Sequence, residues 1–249
     1  MFTDLHGKKV LITGASSGIG LCIAELFSFY GAVVGIHYNQ NQDEAEKIYQ
    51  KIKTNGNSAF LLRADLLDNN SLSSLVPLFI DKTGGLDILI NNAGGVFGNE
   101  YFLDMDIESW NKTLAINLTA PFFLSKAAFS FMKDHHGGKI INISSIAAKY
   151  GGSARTTHYG AAKGGLEAVT KTLAREGASH NILVNAIRPG VIDTTFHKKI
   201  GRSSLDEKVK TIPLKRAGKP IDIAQLCLFL GSACGDYITG QIYDVTGGD

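Results

Sequence analysis

Short, almost wholly apolar runs alternate along this chain with longer segments whose apolar positions recur at the helical period. The runs at 10–13, 33–38, 58–63, 88–91, 139–144, 183–188 and 241–244 predict seven strands. Between them, helical patterns fall at about 18–30, 42–54, 69–82, 106–134, 157–179 and 220–231. Strands this uniformly apolar are covered on both faces, and strict strand–helix alternation predicts an α/β doubly wound Rossmann fold, a seven-stranded parallel sheet with helices on both faces. Pro121 interrupts the long pattern at 106–134, so two helices should meet near Asn117 and Leu118. The stretch 193–213 has no clear period, and its length suggests a mobile substrate lid. No repeat, linker or low-complexity tract divides the chain, so one domain is expected over 1–249.

Composition narrows the class. A chain of 249 residues, 44% hydrophobic and 19% charged, can bury one substantial core. A formal net charge of +2 without long runs of like charge argues against nucleic acid or an anionic membrane as partner. Small-molecule ligands are expected instead. Cys22, Cys227 and Cys234 have no C-x-x-C spacing, and the first two lie in apolar helical patterns, so free thiols and a reducing, cytoplasmic setting are expected. The first residues lack the apolar core of a signal peptide, and no uninterrupted apolar stretch approaches the ~20 residues of a membrane helix.

The segment after the first strand carries the first chemistry. Thr13-Gly14-Ala15-Ser16-Ser17-Gly18-Ile19-Gly20 opens a helix, whose unpaired N–H groups and positive dipole end suit a pyrophosphate. Gly14 permits the tight turn, Gly18 a close backbone approach and Gly20 helix–strand packing; Ser16, Ser17 and Ile19 complete the cradle. The second strand ends in Ile36-His37-Tyr38-Asn39-Gln40, without the acidic residue that holds the ribose 2′-hydroxyl in an NAD site. A 2′-phosphate would not be repelled there, and Asn39, Gln40 and Ser17 can donate to it. NADP(H) is therefore preferred, with NAD(H) left open because no Arg or Lys stands at these positions either. Asp65 and Leu66, ending the third strand, can meet the adenine, although Asp65 capping the following turn reads equally well. Asn92, Ala93 and Gly94, at the expected reversal of strand order, can admit a ribose or form an ordinary Asn-Gly turn.

Tyr159 and Lys163 stand four apart and share one helix face. An ammonium beside a phenol favours the phenolate, which would let the tyrosine exchange a proton well below its ordinary pKa. That is an acid/base group for a carbonyl or alcohol. By itself Y-x-x-x-K recurs by chance; Ser144-Ser145 upstream and the glycine turn give it context.

With the T-G-x-x-x-G-I-G turn, N-N-A-G, Ser145, Tyr159-x-x-x-Lys163 and Arg188-Pro189-Gly190 in this order, the chain resembles the compact short-chain dehydrogenase/reductases from Gly7 to Gly248. It is most similar to 3-oxoacyl-carrier-protein reductases and to sugar or polyol dehydrogenases. The resemblance implies strand order 3-2-1-4-5-6-7 and a nicotinamide cofactor. It implies Tyr159 as general acid/base, Lys163 lowering its pKa and holding the nicotinamide ribose, and Ser145, in preference to Ser144, bonding the substrate oxygen. Asn117 would hold a water for proton relay to Lys163, or simply satisfy broken helix bonds. Pro189, Gly190, the Ile192 backbone and the Thr194 hydroxyl would cover the carboxamide. Relatives also imply a homotetramer built on the last strand and the helices near 106–134 and 157–179. The expected activity is hydride transfer between NADP(H) and a ketone or secondary alcohol. The alternatives are an NAD-dependent alcohol dehydrogenase, or a nucleotide sensor without catalysis, whose mark would be loss of Tyr159, Lys163 or Ser145.

Other groups carry weaker signals. His135 and His136 are adjacent, so their side chains diverge, and no third metal ligand is near in sequence. His158 should point away from Tyr159's face or sit at the pocket rim. His197, Lys198, Lys199 and Arg202 make part of the lid basic, as a solvated face or an attraction for an anionic substrate. Phe97, Tyr101, Phe102 and Tyr150 suit a substrate cleft, core or subunit contact.

Overall fold

β1 (Lys9–Ile12), β2 (Val33–Tyr38), β3 (Ala59–Arg63), β4 (Ile88–Asn91), β5 (Gly138–Ile143), β6 (Ile182–Pro189) and β7 (Ile242–Val245) pair in parallel throughout, in the order β3-β2-β1-β4-β5-β6-β7. The computed structural model describes residues 2–98, 100–194 and 205–249. Helices α1 (Gly18–Phe29), α2 (Gln42–Thr54), α3 (Asn69–Thr83), α4 (Ile107–Leu114), α5 (Ala120–Asp134), α6 (Ala147–Tyr150), α7 (Thr157–Gly177), α8 (Asp206–Thr211) and α9 (Pro220–Gly231) fill the connections.

The pleat sorts the strand residues between two cores. Val10 and Ile12 face α1, α2 and α9, while Leu11 between them faces α3 and α5. Phe27 and Phe79, both fully buried, anchor the two layers, and truncating either to Ala would cost about 3–5 kcal/mol. Strand order reverses between β1 and β4, which opens a crevice at the carboxyl ends of the strands.

The pattern at 106–134 forms two helices that meet at Asn117 and Leu118, as expected, but Pro121 does not cause the junction. A π-helical segment, Ala115–Thr119, joins α4 to α5, and Pro121 falls in the first turn of α5, where its missing N–H is tolerated. The resulting run Ile107–Asp134 is 28 residues long and, by length and composition alone, could match a membrane span. It packs against α3 and α7. The stretch 193–213 is not patternless, since α8 lies within it; α8 is short and charged, with no apolar period to read. Residues 195–204 of that stretch, among them His197, Lys198, Lys199 and Arg202, lie outside the described residues. Of the cysteines, Cys227 is buried, Cys22 half-buried and Cys234 exposed, all as free thiols.

Candidate active site

The glycine turn is fastened to the end of β4 through Thr13. Its hydroxyl accepts the N–H groups of Asn92 and Ala93, both at 2.9 Å, and the Asn92 amide returns a bond to the Thr13 carbonyl at 2.8 Å. Gly14 and Gly18 have φ of +63° and +54°, where an L side chain is strained. A Cβ on Gly14 would stand 3.0 Å from Ala93 Cα, so this glycine makes room for the β4 loop rather than for a ligand. On Gly20 a Cβ would strike the Gly14 carbonyl and the Asn92 amide, the close packing expected of the third glycine. Ser17 precedes α1 without capping it, and no carboxylate occupies the first turn, so the opening N–H groups are left for an anion.

A cleft of about 850 Å³ has this turn, Tyr38, Asn39 and Asp65, and Tyr159 and Lys163 in its lining. Every residue assigned above to the cofactor lines it: Gly14, Ser16, Ser17, Gly18 and Ile19; Tyr38 and Asn39; Asp65 and Leu66; Asn92, Ala93 and Gly94; Pro189, Gly190, Ile192 and Thr194. Asp65 also accepts the Leu67 N–H at 3.0 Å, a turn bond, while Asp68 caps α3. Thr194 approaches Gly18 so closely that a Cβ there would lie 3.4 Å from its methyl, so the segment after β6 folds back over the glycine turn. A cleft of this size with an open helix N-terminus and small residues in its lining fits a dinucleotide.

At the catalytic end, the Ser145 hydroxyl hydrogen-bonds the Tyr159 phenol. It also accepts the Ala147 N–H at 3.1 Å, which fixes its direction. Ser144 turns the other way and donates to Glu167 Oε1 at 2.7 Å. Buried Lys163 donates to the Ile143 carbonyl at 2.8 Å, with its Nζ 5.7 Å from the Tyr159 ring centre. The expected depression of the phenol's pKa is not what these protein groups produce. Burial pushes Tyr159 up to about 12, with only the Ser145 bond opposing, and brings Lys163 down to about 7.

Asn117 does not line the cleft. From the π segment its Nδ2 donates to Gly95 O at 2.6 Å and Thr113 O at 2.8 Å, and its Oδ1 accepts the Gly95 N–H at 3.3 Å. A Cβ on Gly94 would meet both Asn117 Oδ1 and Lys163 Nζ, so the three adjoin.

Several contributors lay beyond sequence reading. Thr13 is one; His37, which bonds the glycine turn, is another. Arg188 forks Glu167 at 2.9 and 2.7 Å and reaches Asp244 at 2.6 Å, and these carboxylates keep it firmly protonated. With Ser144, that network joins the ends of β5, β6 and β7 to α7. Only the motif position of Arg188, just before Pro189-Gly190, hinted at it.

Residues 14–249 match the family model described as enoyl-(acyl carrier protein) reductase. A 3-oxoacyl-(acyl-carrier-protein) reductase of Chlamydia pneumoniae is 38% identical over 248 residues, covering all of this chain and 99% of that protein. Its counterpart in Thermotoga maritima is 36% identical, covering 98% of each chain. This chain is a short-chain dehydrogenase/reductase. A metagenomic blue fluorescent protein in complex with NADPH superposes with a TM-score of 0.92 at 32% identity, and a short-chain dehydrogenase from Burkholderia cenocepacia with NADP has the same score at 31%, each covering 98% of both chains. The chain is accordingly an oxidoreductase.

The substrate side of this short-chain dehydrogenase/reductase is less enclosed. Phe97 and Tyr150 line the cleft, whereas Tyr101 and Phe102 stand outside it. Phe102 and Leu103 are 72% and 91% exposed, and the Arg155 guanidinium lies over Tyr101 at 4.2 Å. His158 is neither solvated nor at the rim: it is fully buried, with Nε2 2.8 Å from Phe97 O. Lys208 of α8 also borders the cleft. His135 stacks on Phe131, and no metal-binding group of His, Cys, Asp or Glu occurs among the described residues.

Proposed function

We propose that this enzyme reduces the ketone of 3-oxoacyl thioesters, or of small to medium sugar- or polyol-type ketones, with NADP(H). The observation carrying the reading is the Ser145–Tyr159 hydrogen bond above buried Lys163, at the inner end of a dinucleotide-sized cleft. When bound, the nicotinamide supplies or accepts the hydride. A carbonyl oxygen seated beside the Ser145 and Tyr159 hydroxyls would receive two hydrogen bonds as it gains charge. Tyr159, kept protonated by burial, is the proton donor to that oxygen. Lys163, titrating near neutrality, holds the charge that favours the phenolate once the proton has left. Asn117 keeps the Gly94–Gly95 floor in place beside Lys163.

The absence of a carboxylate at the end of β2 supports NADP(H), as do the NADPH and NADP in similar structures. A specific observation keeps NAD(H) in view: Lys163 and Lys208 are the only Lys or Arg among the described cleft-lining residues, and neither belongs to β2 or the glycine turn. Exposed Ile107, Phe122 and Phe123 on the α4–α5 run support a homotetramer, which analytical ultracentrifugation would test.

The functional test is turnover of an acetoacetyl thioester against a crotonyl thioester, each with NADPH and NADH. Ketone reduction with NADPH is expected. Turnover of the crotonyl thioester alone would replace the reading by enoyl reduction, and tighter NADH binding would reverse the cofactor preference.

A further inference from the structure

His37, next to last in β2, holds the glycine turn by two groups at once. Its carbonyl accepts the Ala15 N–H at 2.8 Å, and its ring Nδ1 accepts the Gly14 N–H at 3.0 Å. Across the ring, Nε2 lies 3.1 Å from the Ala64 carbonyl at the end of β3. A backbone N–H only donates and a carbonyl only accepts, so both bonds require the neutral ring with its proton on Nε2. The residue is 2% exposed, at the border of the cleft. The imidazole therefore bridges the turn after β1 and the segment that carries Asp65, the two places where opposite parts of a dinucleotide would sit.

The bonds have a directional consequence. The N–H groups of Gly14 and Ala15 are both taken up by His37, which leaves the later N–H groups at the start of α1 for the anion. If the Gly14 bond is lost, a residue at φ +63° loses the partner that orients its peptide.

We propose that His37 is a positioning residue for cofactor binding: its Nδ1 bond to Gly14 sets the glycine turn in the form that receives the dinucleotide pyrophosphate. This rests on the dinucleotide reading of the cleft, and does not depend on which ketone is reduced. Two near-isosteres separate the two ring bonds. In His37→Asn the amide oxygen takes the place of Nδ1, facing Gly14; in His37→Gln the amide nitrogen reaches the place of Nε2, facing Ala64.

The experiment is calorimetric titration of NADPH into the wild type, His37→Asn, His37→Gln and His37→Ala, with the melting temperature of each cofactor-free protein and steady-state kinetics alongside. Gln and Ala should weaken NADPH binding about tenfold or more, while Asn stays within about threefold of wild type; the loss should appear in Kd and in KM for NADPH rather than in kcat. Nitrogen-15 NMR of the labelled wild type should show the His37 proton on Nε2 and a bare Nδ1. Rescue by Gln and not Asn, equal affinity in all four proteins, or a proton on Nδ1 would overturn the proposal. Affinities that follow melting temperature alone would overturn it too, leaving a merely structural histidine. If wild type prefers NADH, that nucleotide becomes the titrant, because the pyrophosphate is common to both; this would correct the cofactor reading alone. A wild type binding neither would sink both.

Discussion

At the cofactor end of the cleft, groups almost eighty residues apart in sequence are bonded to each other in pairs: Thr13 with Asn92 and Ala93, each at 2.9 Å. In the loop after Gly95, outside the cleft but on the side proposed for the substrate, Phe102 and Leu103 present most of their apolar surface to solvent. The first region is complete within the protein, because its ligand is an anion met by backbone, and backbone must be held by other backbone. The second exposes apolar side chains that an apolar substrate would cover. Damage at the first end should therefore spread to cofactor affinity and stability, while damage at the second should stay with the substrate.

Tyr159→Phe is the severest break in the comparison, since it sits where the two ends meet. Turnover should fall by about 10²–10⁴-fold, the usual span for an acid/base group, with NADPH affinity within about twofold of wild type by fluorescence titration. A proportionate loss of affinity would make Tyr159 a binding residue instead. Gly14→Val comes next. Its Cβ would press on Ala93 at 3.0 Å in a backbone region unfavourable to valine, so NADPH affinity should drop about a hundredfold, close to 3 kcal/mol, and the melting temperature should fall with it.

The pH dependence of stability probes the same end without a ligand. In the unfolded chain His37 titrates near its ordinary 6.5; in the folded protein burial holds it at about 4. Between those values the unfolded chain binds more protons, so this contribution is fully present above about 6.5 and is lost as pH falls through about 4. Its size is on the order of 3 kcal/mol. Urea denaturation of wild type and His37→Asn at pH 7 and pH 4 measures it: wild type should lose more stability by that amount. The smallest effect belongs to the substrate end. Replacing Phe102 and Leu103 together by serine should change stability by less than about 1 kcal/mol and leave NADPH binding intact, while KM for long-chain 3-oxoacyl thioesters rises a few-fold. A loss of NADPH affinity would erase the distinction between the ends.

The same contrast explains what could be read from the sequence. Gly14, Gly18 and Gly20, the Asn92-Ala93-Gly94 turn and the Tyr159/Lys163 pair are legible because few residue types satisfy those geometries and their spacing is local. The seven strands and their helices follow from apolar runs, with ends displaced by a residue or two. Thr13, His37 and the Ser144–Glu167–Arg188 network are illegible for the converse reason: each depends on which strand ends become neighbours in the sheet. The direction of the Tyr159 shift depends on burial, which no pair spacing reveals. The junction near Asn117 is legible through Pro121, but its π form is not, because a π segment has no sequence period of its own.

That π segment fixes a rotational phase. An α-helix advances about 100° per residue, so one surplus residue between α4 and α5 turns everything after it by that angle. In the present phase Leu124, Ala128 and Met132 face the core, Phe122 and Phe123 face outward, and Asn117 reaches Gly95. A single-residue deletion within Ala115–Thr119 would leave two good helices and a regular hydrogen-bond ladder. It would also swing the core row of α5 toward solvent and carry Asn117 off the loop beside Lys163. The helix is thus barred from becoming more regular, because its irregularity is the common origin from which both its buried face and its active-site amide are measured.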